Sequence, residues 1–212
     1  MITLIGSLKG GTGKSTLTFN MSVWLATQGF TVKIFDLDPQ ATLVDVVTIR
    51  TEEGYQPTLS VDTNVNNIRN EKGVQTLIDV GTANMAGMEQ AIFMADRIII
   101  PVPPSQADVW STQRFIRIVK EACARREKKP ELLAFINRAD TNPAVRETAE
   151  TLDALSRLPG LRRVVARLGQ RTTFRRSFSE GLAVFELEPS GKASAELNAL
   201  AMVLFSSLFI EG

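Results

Sequence analysis

Residues 9–16 read KGGTGKST, set between a short apolar run, Ile2 to Ile5, and a helical pattern whose apolar face is Leu17, Met21, Val23, Trp24 and Leu25. Strand, glycine-rich turn and helix in that order are the context a phosphate-binding loop requires. Gly10, Gly11 and Gly13 let the backbone turn tightly and aim successive N–H groups inward, and the N-terminus of the following helix adds partial positive charge. Lys14 can reach the outer phosphates of a nucleotide, and the Ser15 hydroxyl is placed to ligate Mg²⁺. A plain glycine turn needs neither the lysine nor the hydroxyl. Gly10, Gly11, Thr12, Gly13, Lys14, Ser15 and Thr16 are therefore the expected nucleotide cradle. Leu8 stands where the general G-x-x-x-x-G-K-[ST] pattern has its first glycine, and a second lysine, Lys9, stands at the loop entrance.

Outward from the loop, Gly29 closes the first helical pattern and a second strand follows at Val32–Phe35. Residues 48–72 are polar and turn-rich, which predicts an irregular surface excursion with at most one short strand. Strand-like runs return at Thr76–Ile78, Arg97–Val102 and Leu132–Ile136, with a helix from about Ser111 to Arg126 between the last two. Another helix is expected to begin near Pro143, and a final one to run from about Ser190 to Phe209 with Leu197, Leu200, Ala201 and Leu204 on its apolar side. Short, nearly all-apolar strands alternating with helices predict an α/β fold: a mostly parallel, twisted sheet flanked by helices, of the P-loop NTPase type. No repeat or linker interrupts the chain, so residues 1–212 are expected to form one domain.

Absences narrow the chemistry. With no histidine among 212 residues, His-based triads and His-rich metal sites are excluded. Cys123 stands alone, which excludes an intramolecular disulfide and a cysteine-cluster metal site, as suits a reducing cytoplasm. The opening MITLIGSLKGG lacks the pattern of a signal peptide. The longest apolar stretch, Ala199 to Ile210, spans 12 residues including two serines and is too short to cross a bilayer. Charge is balanced at 24 basic against 23 acidic residues, but residues 1–100 hold 7 and 10 while residues 101–212 hold 17 and 13. A polyanion-binding face is expected in the second half.

Three further segments carry candidate chemistry. The second strand ends FDLDPQ, placing Asp36 and Asp38 where ligands bind in open α/β sheets, and in a chain without histidine a carboxylate is the natural group to orient an attacking water. Thr76-Leu77-Ile78-Asp79 resembles a Walker B strand, whose terminal aspartate holds Mg²⁺ through water. Asn137-Arg138-Ala139-Asp140 looks like a degenerate N-K-x-D base-reading loop: Arg138 could stack on a purine and Asn137 could bond its edge. The aspartate would favour guanine if it reached the base, so this loop leaves ATP and GTP both open. Residues 156–176, SRLPGLRRVVARLGQRTTFRR, hold seven arginines and no acid. A solvated helix face normally mixes signs, whereas sequence-independent DNA binding needs such a surface for phosphate neutralisation.

The K-G-G-x-G-K-[ST] form of the loop is similar to the deviant Walker A signature of the ParA/MinD family of dimerising ATPases, and D-x-D-P-Q and the closing run GLAVFELEPSGKASAEL resemble the same family. The resemblance covers most of the chain, weakest at 46–73. It implies that Lys9 crosses an ATP-dependent homodimer interface to the other subunit's phosphates, that Asp38 orients the attacking water, and that Asp36 supports Mg²⁺ and the loop. It favours ATP as the nucleotide. It also implies ATP-gated binding of nonspecific double-stranded DNA through basic residues of the C-terminal part, here Arg162, Arg163, Arg167, Arg171, Arg175 and Arg176, with Arg171 placed either there or near the nucleotide or dimer interface. A centromere-binding protein or cargo adaptor would stimulate hydrolysis, the cargo being a plasmid or a protein assembly on the nucleoid. Two other classes share the scaffold. A MinD-like membrane-cycling ATPase ends in a basic amphipathic helix, whereas nothing after Lys192 is basic here. A dethiobiotin-synthetase-like enzyme needs a second substrate pocket and explains neither Lys9 nor the arginine run.

Overall fold

The computed structural model describes residues 1–142 and 145–209. Its frame is a sheet of β1 (Ile2–Ile5), β2 (Thr31–Asp36), β3 (Val61–Asp62), β4 (Val74–Asp79), β5 (Arg97–Val102), β6 (Glu131–Ile136) and β7 (Arg162–Arg163) in the order β3-β2-β4-β1-β5-β6-β7. All neighbouring pairs are parallel. Parallel strands require crossovers, which are supplied by α1 (Lys14–Thr27), α2 (Thr42–Glu52), α3 (Met85–Met94), α4 (Gln106–Ala122) and α5 (Glu147–Ser156). Three more helices follow β7: α6 (Thr172–Ser179), α7 (Val184–Leu187) and α8 (Lys192–Phe205).

Both faces of the central strands are covered, which is why these strands read as continuous apolar runs rather than alternating ones. Leu4, Ile98 and Ile100 pack with Met88 and Ile92 of α3 and Phe115 and Ile116 of α4. Ile5, Leu77 and Ile99 face the other way, onto Leu17, Met21 and Trp24 of α1 and Leu197, Leu200 and Leu204 of α8. After β1 the chain turns towards β2, and after β5 it turns the opposite way, towards β6. The carboxyl ends of these two adjacent strands therefore form the crevice where open α/β sheets bind ligands.

β5 occupies the expected residues, and β2, β4 and β6 exceed theirs by two, three and one residues. The helix expected from Ser111 begins instead at Gln106, because Ser105 caps it: the Asp108 N–H donates to the Ser105 hydroxyl at 3.1 Å. α2 corrects the expectation of irregular chain from residue 48. Its β-branched residues Thr42, Val44, Val46, Val47, Thr48, Ile49 and Thr51 are weak helix formers, but tertiary contacts hold the helix. Leu43, Val46 and Val47 pack on Phe19 and Val23 of α1. Arg50, 1% exposed, makes five bonds: to the Pro57, Gln56 and Gly181 carbonyls and, at 2.8 Å each, to both carboxylate oxygens of Glu186. The rest of the excursion holds the two-residue β3 and a 3₁₀ turn at Val65–Asn67. Pro143, where a helix was expected to begin, lies outside the described residues, and α5 runs from Glu147. α8 gives way to a 3₁₀ turn, Ser206–Phe209, whose Phe209 meets Trp24 and Phe30 edge-on.

Candidate nucleotide-binding site

Loop 6–13 carries the chain from the end of β1 into α1. Gly11 and Gly13 adopt left-handed backbone (φ 71° and 89°), a conformation that favours glycine. Space demands glycine at 13 as well, since a Cβ there would meet the Asn137 amide nitrogen at 2.5 Å. Thr12 is buried, its hydroxyl 2.9 Å from that of Ser7. The Lys9 carbonyl accepts from the Ser7 hydroxyl at 3.1 Å and from the Lys14 ammonium at 3.3 Å. Burial lowers the pKa of Lys14, while the negative charges of Asp79 and Asp38 work against that shift.

Asp36 and Asp79 are register partners at the ends of β2 and β4. Each is almost fully buried, yet their surroundings differ. One oxygen of Asp36 accepts from the Asp38 N–H at 3.1 Å, and the other from the N–H groups of Leu43 and Val44 at 2.9 and 3.3 Å. Burial raises its pKa and those bonds oppose the rise. Asp36 thus caps the start of α2 and pins the loop that carries Asp38. Asp79 accepts the Ser15 hydroxyl at 2.5 Å on one oxygen, while the other, Oδ1, is buried without a hydrogen-bond partner. Burial pushes its pKa up to about 6. An orphaned carboxylate oxygen beside a serine hydroxyl fits a hard divalent cation. Ser15 and Asp79 are the residues that would hold Mg²⁺.

The loops after β2 and β4 are tied together. Leu37 N–H donates to the Asp79 carbonyl at 2.9 Å, and the Asn84 amide donates to the Leu37 carbonyl at 2.9 Å. Asp38 packs so closely on Gly81 that a Cβ at position 81 would lie 2.5 Å from its carboxyl carbon. Gly10, Gly11, Gly13, Lys14, Ser15, Thr16, Asp38 and Arg138 all face one cleft of about 590 Å³. Beside it, a recess of about 250 Å³ is walled by Asn137, Arg138, Gln170, Arg171 and Phe174, among others. Asn137 donates its amide to the Thr12 carbonyl at 2.7 Å, so it ties the loop after β6 to the glycine-rich loop after β1. Arg138 sits exposed in left-handed backbone (φ 56°) between cleft and recess. Lys9 does not line the cleft: its ammonium lies 2.9 Å from Asp108 of α4.

The arginine run is dispersed over the end of α5, β7, extended chain and α6. Arg162 pairs with Glu131 at 3.2 Å, Arg171 with both oxygens of Glu196 at 3.0 and 2.6 Å, and Arg176 with Glu180 at 3.2 Å. Arg163, Arg167 and Arg175 are exposed and have no ion pair among the described residues. No helix of the described residues is long and apolar enough to cross a membrane.

Residues 3–184 match the model of the CobQ/CobB/MinD/ParA nucleotide-binding domain. The chain belongs to this family. It is 30% identical over 200 residues to the maintenance of carboxysome distribution protein A of Halothiobacillus neapolitanus, covering 91% of this chain and 90% of that one. Two solved structures share the fold at lower identity. A plasmid partition protein of Borrelia burgdorferi bound to AMPPNP superposes with a TM-score of 0.74 at 16% identity, covering 97% of this chain and 98% of its own. The septum site-determining protein MinD of Pyrococcus horikoshii, complexed with Mg-ADP, gives 0.73 at 18% identity, covering 100% and 98%. Membership of this ParA/MinD family agrees with the reading of KGGTGKST. Sequence reading missed Asp108 and Asn84. The S-x-x-D spacing of Ser105 and Asp108 was a visible helix-start signal, but nothing in it pointed across to Lys9.

Proposed function

We propose that this chain is an ATP-hydrolysing positioning protein. It binds ATP with Mg²⁺, pairs with a second copy, holds nonspecific double-stranded DNA while paired, and lets go after hydrolysis stimulated by an adaptor protein on the cargo. The observation that carries the reading is the convergence of Lys14, Ser15 and Asp38 on one cleft, with Ser15 bonded to an Asp79 whose other oxygen is buried without a partner.

Chemically, the N–H groups of residues 10–16 and the Lys14 ammonium hold the phosphates in line. Mg²⁺, when bound, neutralises charge on the outer phosphate oxygens. Asp38 orients the attacking water and accepts its proton, its carboxylate kept in place by Gly81 and the Gln40 N–H at 3.0 Å. Lys9 from the second copy adds a cation where charge builds during transfer. Arg138 and Asn137 border the recess assigned to the base.

The carboxysome-distribution relative supports a large protein assembly as cargo over a plasmid, because the partition protein of Borrelia shares only the fold at its identity. Arg163, Arg167 and Arg175 are the foremost DNA contacts, since they are exposed and form no ion pair among the described residues. Arg162, Arg171 and Arg176 would first have to leave theirs. A cytoplasmic, nucleoid-associated location follows. Packing of Phe209 against Trp24 and Phe30 supports a role without membrane attachment.

The test is retention on random duplex DNA at two salt concentrations, with ATP, with ADP and without nucleotide. Salt-sensitive retention with ATP alone is expected, and replacing Arg163, Arg167 and Arg175 by Ala should flatten the salt slope by roughly one unit per lost phosphate contact. Equal retention in all three states, or none in any, overturns the reading.

A further inference from the structure

An ion pair links the loop after β1 to the start of the helix after β5. Lys9 follows β1 and Asp108 lies in the first turn of α4, after β5. They meet at 2.9 Å, with the lysine side chain 42% exposed and the aspartate 7%. The second oxygen of Asp108 accepts the Ser105 hydroxyl. The Lys9 carbonyl is held by Ser7 and Lys14, so its backbone belongs to the phosphate loop while its side chain is drawn away to α4.

We propose that Asp108 is a positioning residue for Lys9, holding its ammonium within its own subunit until a second ATP-loaded copy draws it out. This rests on the pairing described under Proposed function and names the residue that sets its threshold. A lysine held on its own chain cannot reach another subunit's phosphates. Extending it outward leaves a buried carboxylate without its cation, which costs more than parting two exposed charges. The competing site must therefore offer more negative charge than one carboxylate, and a triphosphate with its γ-group does so better than a diphosphate. Asp108 thereby raises the ATP requirement for pairing and suppresses turnover by unpartnered copies.

Asp108→Asn removes the charge but keeps an oxygen for the Ser105 hydroxyl. It should lower the ATP concentration for half-maximal pairing, measured by sedimentation, roughly three- to tenfold, and should raise turnover without any partner protein by a similar factor. The change should fall on the ATP dependence of pairing, with KM for ATP at saturating protein little altered. Adding Lys9→Ala to Asp108→Asn should erase the gain, and Asp108→Glu should restore wild-type behaviour. A purely structural Asp108 would shift the melting temperature without any of this.

The hold itself is read separately, from the rate at which an acylating reagent modifies Lys9 in the nucleotide-free chain, followed by peptide mass spectrometry. That rate should rise in Asp108→Asn. An unchanged rate overturns the proposal whatever pairing shows, and so does a pairing gain that survives Lys9→Ala. Faster labelling in a chain whose wild type never pairs with ATP overturns the pairing reading, and with it the role assigned to Asp108.

Discussion

The ends of β2 and β4 present the same residue type in the same register at almost the same depth, yet Asp36 and Asp79 are equipped for different work. Asp36 has both oxygens engaged by N–H groups of its own loop and of α2. Asp79 has one oxygen on Ser15 and one with no partner. Burial raises the pKa of both carboxyls, so depth alone does not separate structure from chemistry. Unspent hydrogen-bonding capacity does: a buried acceptor left unmatched is costly, and it suits a cation that arrives with the substrate.

Substitutions can break this contrast. Asp79→Asn should have the largest effect, a loss of about a hundredfold or more in Mg²⁺-dependent ATP turnover with thermal stability retained or improved. Full activity in that variant, assayed by phosphate release, would remove Asp79 from the metal site. Gly81→Ala should come next, because its methyl group must displace the Asp38 carboxylate. Turnover should drop roughly tenfold while ATP affinity, measured by titration, changes little. Asp36→Asn should act on the fold instead, with a loss of about 1–2 kcal/mol in denaturant unfolding as the cap of α2 weakens. A turnover loss as deep as that of Asp79→Asn, at unchanged stability, would erase the distinction between the two carboxylates.

The smallest effect is a dependence on pH. With its pKa raised to about 6, Asp79 keeps a proton in the folded chain that the unfolded chain has already released. Stability of the nucleotide-free protein should therefore fall as pH rises from about 4 towards 6, by at most about 1 kcal/mol per unit from this group. Asp36 contributes in the same direction. Asp79→Asn should remove the larger part of the tilt, and urea unfolding across that pH range would measure it. Affinity for Mg²⁺-ATP should weaken as pH is lowered through 6, because the proton and the cation compete for the same carboxylate.

What could be read along the chain was what lies close together in it. KGGTGKST, FDLDPQ and TLID each compress a strand end and its chemistry into a few residues, and the apolar run Arg97–Val102 matched β5 because strands buried on both faces have no other composition. What escaped reading depends on distant partners. α2 contradicts its own propensities because Asp36 caps it and Arg50 reaches Glu186, 136 residues away. Seven arginines between residues 157 and 176 read as one surface, but folding spreads them over several elements and assigns acids to some of them. Lys9 was legible as a motif residue, whereas its attachment to Asp108 exists only once β1 and β5 stand side by side.

α2 is fixed at both ends, by Asp36 where it begins and by the Arg50 cluster where it finishes. The five residues 37–41, Asp38 among them, therefore form a strut from the end of β2 to the start of a helix that is held at both ends. One residue more or fewer changes the strut by about 3.8 Å, more than the 2.9 Å bond from the Leu43 N–H to Asp36 can span. The reach of the Asp38 carboxylate is thus governed by how many residues separate Asp36 from Leu43, and that count is a dimension of the machine in the way a gear's tooth number is.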